Sequence, residues 1–207
     1  MNKIYSYIGL FFLLISGCNY KVNESTNLIQ KIDNLDMIIY SDEGEKLYSI
    51  NSPESIYDKN ENTFNLKKTS INIFKNKQKQ YIVKSNTSKL SNNKRILELI
   101  GNVQLNTVLK DNDVLKADKL FWNIGETKYL LTGNVSFENN NVILTSSKAT
   151  LNSQNTLKFH NPVKYIIKGK NKGQNYEIRS ENAFYDITTK SVRFNANEKR
   201  VRTKINF

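Results

Sequence analysis

The residues GNVQL at 101–105 return as GNVSF at 133–137, and NPVKY at 161–165 is a variant of the same phrase. A phrase that returns after about thirty residues is typical of a repeated supersecondary unit, which cannot bury its apolar face alone and has to pack against its neighbours. The repeat therefore predicts an architecture of similar units stacked side by side.

Each of the three phrases lies in a segment in which apolar and polar residues alternate. In the first segment the odd positions from Leu97 to Leu105 are apolar or glycine, whereas Glu98 and Gln104 are polar. Residues 129–137 and 157–165 repeat the alternation. Because a period of two is the pattern of half-buried β-strands, the sequence predicts an all-β domain with almost no helix.

A second phrase, eight residues long, precedes each of these strands. It has an aliphatic residue at its first position, a small residue at its third and a large, mostly aromatic residue at its eighth, and it starts at Ile50, Val83, Leu115, Leu144 and Ile178. Short polar segments with the composition of hairpin turns follow it, so we expect about five pairs of antiparallel strands. Two architectures fit this pattern: a β-solenoid and an open antiparallel sandwich of the jelly-roll kind. Both leave edge strands that can pair with another chain.

The first eighteen residues predict export and a lipid anchor. The apolar run Ile8–Ile15 spans only about 12 Å as a helix. This is much too short to cross a bilayer, for which a helix needs ~20 apolar residues. Residues 1–17 are therefore predicted to be a signal peptide. Its end, Ile15-Ser16-Gly17-Cys18, resembles the bacterial lipobox and predicts lipidation of Cys18, with an uncleaved membrane anchor as the alternative. Residues 18–37 are then a tether, and residues 38–207 are the β-domain.

The composition limits the function classes. A net charge of +12 can serve nucleic acid, an anionic membrane surface or an anionic ligand. Nucleic acid is excluded as a partner because the chain is exported and has no nucleic-acid-binding motif. His160 is the only histidine and Cys18 the only cysteine, and no nucleophile elbow or phosphate loop occurs. We therefore expect no enzymatic activity, no cofactor and no metal site.

Several segments resemble the OstA-like family of lipopolysaccharide transport proteins, which includes LptA, LptC and the N-terminal part of LptD. They are the phrase from Leu115 to Trp122, the residues SENAFYD at 180–186, and the opening 38–58 with its Asp-Glu-Gly turn. The resemblance covers about residues 38–205 and implies a twisted, open β-jelly roll that holds lipid acyl chains. An anchor without a C-terminal barrel points to the LptC type, although a lipidated cysteine replaces that type's transmembrane helix.

The resemblance implies a component of the lipopolysaccharide export bridge in the periplasm, held by its lipid anchor at the inner membrane. It would accept the glycolipid from an ABC transporter with LptF/LptG-like membrane subunits and pass it to an LptA-like protein. The alternative is a structural or adhesive β-repeat lipoprotein of the cell envelope that transfers no lipid.

The strand pattern selects the candidate site residues. The apolar face forms either a lipid-binding groove or a closed, dry core, and its members are Ile50, Val83, Leu99, Val103, Leu105, Leu115, Leu131, Val135, Phe137, Leu144, Phe159, Val163, Tyr165 and Ile178. If it is a groove, the basic residues are expected at its rim, where they can meet lipid phosphates. The partner-binding edges are predicted near Lys46 and Ile50 at one end of the sheet and near Arg193 at the other.

Overall fold

The computed structural model of the chain describes residues 28–93, 95–108, 113–124, 128–152, 155–160, 162–168, 175–195 and 201–206, and within them it contains β-strands and turns but no helix. The strands are β1 Ile29–Tyr40, β2 Lys46–Asp58, β3 Thr63–Lys75, β4 Gln78–Ser91, β5 Ile96–Thr107, β6 Val114–Asn123, β7 Lys128–Glu138, β8 Val142–Leu151, β9 Thr156–His160, β10 Val163–Lys168, β11 Asn175–Ser180, β12 Asn182–Asp186, β13 Val192–Asn195 and β14 Arg202–Asn206. The predicted all-β class is confirmed.

All fourteen strands belong to one antiparallel sheet in which β1 to β8 follow one another in sequence order. β9 and β10 lie end to end along β8, because β8 pairs with β9 through its second half and with β10 through its first half. β12 and β11 then pair with β9 and β10, and β13 and β14 with β12 and β11. β9 with β10, β12 with β11, and β13 with β14 thus form three long strands, each interrupted in the middle.

The repeated Gly-Asn dipeptide lies where the long strands bend. Gly101, Asn102, Gly133 and Asn134 all have positive φ, and the pairing register shifts beside both dipeptides. Glycine and asparagine tolerate this left-handed conformation, and an extra residue in one strand bends and twists the sheet. In the variant phrase NPVKY, Pro162 lies at the bend. The strand is interrupted there because proline cannot donate a ladder hydrogen bond.

The small third residue of the eight-residue phrase forms the other half of the bend. The hydroxyls of Ser52, Ser85, Ser146 and Ser180 each donate a hydrogen bond, 2.6–3.1 Å long, to the carbonyl oxygen two residues further on. These carbonyls lie where the strand ladder is irregular, so a side-chain hydroxyl supplies the partner there. The third phrase in chain order has Ala117 at this position.

The bend also shifts the alternation of buried and exposed residues. In β6, Leu115 and Ala117 are buried before the bend and Leu120 and Trp122 after it, whereas residues 118–119 between them are both exposed. β8 has the same pattern. Each phrase therefore places its first, third, sixth and eighth residues on one face of the sheet, and the sheet folds over that face.

The folded sheet has two layers. Layer A contains the beginnings of β2, β4, β6 and β8 with β10, β11 and β14, and layer B contains the ends of β2, β4, β6 and β8 with β9, β12 and β13. Ring contacts join the layers across the interior: Tyr48 lies 4.9 Å from Trp122, and Phe137 lies 4.5 Å from Tyr185, between ring centroids. The architecture is the predicted jelly roll rather than a solenoid.

The N-terminal edge differs from the prediction. β1 begins at Ile29 and pairs with β2 along its whole length, so the segment predicted as a tether up to residue 37 is partly strand. β2 has β1 on one side and β3 on the other, so Lys46 and Ile50 lie one strand inside the edge. Arg193 lies on β13, which pairs only with β12. The signal peptide and Cys18 lie outside the described residues.

Candidate lipid-binding interior and sheet edges

The candidate groove residues form rows that cross the sheet from strand to strand. The row in layer A runs in register through Met37, Ile50, Ile71, Val83, Leu105, Leu115, Phe137, Leu144, Tyr165 and Ile178. The row in layer B includes the pairs Leu99–Leu120, Leu120–Leu131 and Ala149–Phe159. Val103, Val135 and Val163 lie at the bend, opposite Ala117, Ser146 and Ser180. The structure therefore brings all fourteen candidates together on one face.

The interior is closed along most of its length and more open near the sheet edges. Twelve of the candidates are at most 4% exposed, whereas Tyr165 and Ile178 near the C-terminal edge are half-buried. Met37 on the N-terminal edge strand is also half-buried and packs against the same cluster. This arrangement shows where the residues lie, and lipid binding by them stays a prediction.

An aromatic cavity lies between the layers on the side opposite the bend, where the turns of the two layers face each other. We call this side the mouth. The cavity has a volume of about 350 Å³, and it is lined from layer A by Tyr48, Ile73, Phe74 and Tyr81 and from layer B by Trp122, Ile124, Tyr129 and Leu151. Its volume and its apolar lining lie within the range of small-molecule sites.

Polar groups bridge the mouth and offer contacts to a ligand. The Tyr81 hydroxyl donates a 3.3 Å hydrogen bond to Asn155 Oδ1, and both residues also line a second cavity of about 200 Å³. Asn139 Nδ2 donates to the Tyr185 hydroxyl, 3.1 Å away. Trp122 Nε1 is buried and has no partner among the described residues. A buried donor of this kind is a contact that a ligand oxygen can satisfy.

Burial controls the protonation of the mouth. It raises the pKa of Tyr48 and of Tyr129 to about 12, and it raises the pKa of Tyr81 as well. These phenols are neutral hydrogen-bonding groups at neutral pH. Lys75 lines the larger cavity and Lys190 the smaller one, so positive charge is present at the rim.

Sequence reasoning missed Tyr48 and Tyr81 as members of the site. Each stands two positions before the aliphatic residue that starts an eight-residue phrase, Ile50 or Val83. Extending the two-residue alternation backwards past the start of the phrase places both rings on the interior face. The signal was therefore present in the sequence, but only when the strand was taken to begin earlier.

The two edges of the sheet carry opposite charge. The N-terminal edge strand β1 and the turn after it contain Asp33, Asp36, Asp42, Glu43 and Glu45 against a single lysine. The C-terminal edge strands β13 and β14 contain Arg193, Arg202 and Lys204, all exposed. Among the described residues, β1 at one edge and β13 and β14 at the other have no neighbour on their outer side. Unpaired edges of opposite charge are suited to pairing with other strands in a defined order.

The described residues contain neither a membrane-spanning helix nor a metal-ligand cluster. No helix there is long and apolar enough to cross a membrane. In the same part of the chain, no group of three or more histidine, cysteine, aspartate or glutamate side chains could hold a metal ion.

These features define a class of protein: an open antiparallel β-jelly roll with a continuous apolar interior and two unpaired edges. The family model of LptC-related lipopolysaccharide-assembly proteins matches residues 8–141. The chain belongs to this family. It is a periplasmic component of lipopolysaccharide transport and not an enzyme.

Several solved structures are similar to this chain, and one example is similar in part. It is LptH from Pseudomonas aeruginosa, described as the LptA-homologous periplasmic component of the lipopolysaccharide transport device. The similarity covers 60% of this chain and 92% of that chain, with 12% sequence identity and a TM-score of 0.46. No curated protein has a significantly similar sequence.

Proposed function

We propose that this chain is a membrane-anchored carrier in the lipopolysaccharide export bridge. It holds the acyl chains of the glycolipid between layers A and B, receives them from an ABC transporter with LptF/LptG-like subunits, and passes them to an LptA-like protein. The observation that supports this role best is the apolar row of layer A, which runs from Met37 on β1 to Ile178 on β11 without a charged residue.

The mouth is the route by which lipid enters. Its cavities are lined by aromatic and aliphatic side chains from both layers, and ring contacts and single hydrogen bonds rather than ladder pairing hold the layers together there. Moving the layers apart at the mouth exposes the buried rows to acyl chains. Each methylene that leaves water contributes about 0.8 kcal/mol, so several chains together offset the loss of the contacts between the layers.

The headgroup stays at the rim. Lys75 and Lys190 line the two mouth cavities, and residues 77 and 79 in the turn and strand next to Lys75 are also lysines. Exposed cations at this position can meet the phosphates of a lipid A headgroup, although salt screening limits them to modest affinity.

The edges are the surfaces for the protein partners. The acidic edge at β1 receives the transporter's periplasmic domains, and the basic edge at β13 and β14 receives the LptA-like protein by main-chain pairing. Cys18, lipidated after removal of residues 1–17, holds the domain at the inner membrane. A photo-crosslinker at Arg193 in cells should capture the LptA-like partner, and one at Ile38 on β1 should capture the transporter. A crosslinker at Lys46, one strand inside the edge, is the matched control.

The lipid-binding proposal is tested by photo-crosslinking the purified full chain to lipopolysaccharide. A benzophenone amino acid in place of Tyr81 in the mouth should form a lipopolysaccharide adduct, detected by mass spectrometry. The same probe in place of Ile100, which is 41% exposed on the outer face, should not. Equal labelling at both positions, or none at Tyr81 in a folded protein, would contradict the proposal.

A second candidate function is that of a structural spacer. The observation in its favour is the tight burial of the interior, where Leu99, Leu131, Leu144 and Phe159 have no exposed surface. Val135→Arg separates the two functions when lipid binding and unfolding are both measured. A carrier should lose lipid binding with a modest loss of stability because the layers separate readily, whereas a spacer with a permanently dry core should unfold.

A further inference from the structure

The outer face of layer B is electrostatically divided into two halves. In the half formed by β1 to β4, Lys31, Lys67 and Lys89 each form an ion pair with a carboxylate, at distances of 3.3, 2.8 and 3.1 Å. We call these three the paired lysines. Exposed pairs of this kind neutralise the surface without adding much stability.

The half formed by β6 to β13 is different. Its exposed or half-buried cations include Lys119, Lys148, Lys158 and Arg193, and none of these four forms an ion pair with another described residue. We call these four the outer basic patch. Two rows of outer-face residues run through it in register, one from Phe121 to Arg193 and one from Lys119 to His160. From β6 onwards neither row contains a carboxylate, whereas Glu98 on β5 lies beside Phe121 in register.

Apolar rings are interleaved with these cations. Phe121 is 38% exposed on the outer face, and Leu130 lies beside it in register. Lys158 Nζ and the Arg193 guanidinium lie 5.5 and 5.0 Å from the centre of the Phe184 ring. Cations and aromatic rings on a flat face fit the interface of an anionic bilayer, where the charges meet lipid headgroups and the rings enter the headgroup region.

The transported lipid itself cannot occupy the outer basic patch while its chains are in the interior. Side chains on the outer face point away from the interior because successive residues of a strand face opposite sides of the sheet. The backbone of layer B therefore separates the patch from the apolar rows. The headgroup of a bound lipid is at the mouth, not in the middle of the outer face.

The chain length before the sheet permits contact with a membrane. From Cys18 to Ile29 the chain can span at most about 35–40 Å, which is comparable with the width of the sheet between β1 and β9 at about 4.8 Å per strand. Ile29 lies in the part of β1 that pairs with the end of β2, and so it belongs to layer B. This step rests on the proposed lipid anchor, which keeps the domain within that distance of the bilayer.

We propose that the outer basic patch binds an anionic bilayer surface and lays the domain on the membrane with layer B facing the lipid. The mouth and the acidic edge are then held in a fixed orientation relative to the membrane. Each cation near an anionic surface strengthens binding roughly fivefold, so neutralising three of them weakens it on the order of a hundredfold.

The test uses the purified full chain with a benzophenone amino acid in place of Phe121 and vesicles of phosphatidylcholine with or without phosphatidylglycerol. The patch variant carries Lys119→Gln, Lys148→Gln and Lys158→Gln. The control variant carries the same change at the three paired lysines, so both lose the same charge from the same face. Arg193 is kept in both because it belongs to the proposed partner edge.

We expect phosphatidylglycerol adducts at position 121 in the parent and the control variant, a loss of at least tenfold in the patch variant, and a similar loss in about 0.5 M salt. Adducts that are equal with neutral vesicles, that persist in the patch variant, or that fall equally in the control variant would overturn the proposal. Absence of adducts in the parent would also overturn it and would favour an acidic protein as the occupant.

The same two variants are assayed for the lipopolysaccharide adduct at Tyr81, which tests the proposed function separately. Both should label as strongly as the parent, because the patch lies on the opposite side of the sheet from the interior. Loss of this adduct in the patch variant alone would assign the patch to the transported lipid and would overturn the membrane proposal.

Discussion

Gly133→Ala should destabilise the domain much more than the addition of a single methyl group suggests. Gly133 has a φ of +73°, and an added Cβ would lie 2.5 Å from Asp118 Oδ2 and 2.9 Å from Asp118 Cβ. The left-handed conformation costs an alanine about 1–2 kcal/mol, which the reduced freedom of the unfolded chain partly offsets. The contact with Asp118 Cβ adds about 1–3 kcal/mol, because that atom is fixed to the backbone of β6 and cannot rotate away.

Alanine substitutions at two other glycines separate the cost of the left-handed conformation from the cost of the steric contact. Gly44 has a φ of +79° with nothing within 4 Å of the added Cβ, so Gly44→Ala should cost only the conformational strain, about 1 kcal/mol. Gly101 has a φ of +76°, and its added Cβ would lie 3.0 Å from Asn86 Nδ2, at the end of a side chain that can rotate. Gly101→Ala should therefore fall between the other two.

The free energy of unfolding of each variant is measured by urea denaturation. Trp122, the only tryptophan and 5% exposed, reports the transition through its fluorescence. We expect the order Gly44→Ala, Gly101→Ala, Gly133→Ala, with about 2–4 kcal/mol for the last. Asp118→Ala in the Gly133→Ala background keeps the Cβ of residue 118 and should recover little of the loss. Equal costs at Gly44 and Gly133 would refute the close packing of the bend.

Three further predictions concern single groups. Burial and, after it, the charge of Lys158 lower the pKa of His160, so Lys158→Gln should raise the pKa of His160 in an NMR titration. The free energy of unfolding should decrease as the pH falls below about 6.5, because the unfolded chain then binds the proton more readily than the folded chain does. Tyr81→Phe removes the hydrogen bond to Asn155 and should increase the rate of lipopolysaccharide exchange up to about tenfold. Tyr57→Phe removes a comparable hydroxyl–asparagine hydrogen bond within layer B and should not change this rate. Equal effects would argue against a role of the Tyr81–Asn155 hydrogen bond in holding the layers together at the mouth. Cys18→Ala should leave an unprocessed precursor, and mass spectrometry that finds no acyl group on native Cys18 would exclude the anchor.

The period-two pattern predicted the strands, the hairpin turns and the interior face because these depend on local alternation. It predicted that Leu99 and Val103 share a face, and both are buried. The bend was not predicted, although its parts were in the repeat. The Gly-Asn dipeptide and the small third residue were recognised only as features that repeat in each unit. They bend the strand because the dipeptide has a positive φ and because the hydroxyl of residues such as Ser146 binds a nearby carbonyl oxygen. Alternation of apolar and polar residues predicts neither.

The N-terminal edge could not be predicted from alternation for a different reason. β1 is covered on one side only, so Leu35, Met37 and Ile39 face the core while Ile29 and Ile38 are exposed. A strand that contributes so little to the core has no clear period in its sequence. Its strand conformation depends on pairing with β2, which is a tertiary interaction that overrides a weak local signal.

The repeat connects the fold to transport. Because every unit bends at the same position, residues equivalent to Ile50 align in register across the sheet, and the apolar row has the direction of the hydrogen bonds rather than of the strands. The row is fully buried in the middle and half-buried at Met37 on the N-terminal edge strand and at Ile178, which lies one strand inside the C-terminal edge beside Thr203 of β14. Under the proposed function, a partner strand that pairs with β1 adds its own residue to the row in register with Met37. Edge pairing at β1 would then extend the apolar interior from one protein into the next, and the proposed transfer of lipid between carriers would not expose its chains to water.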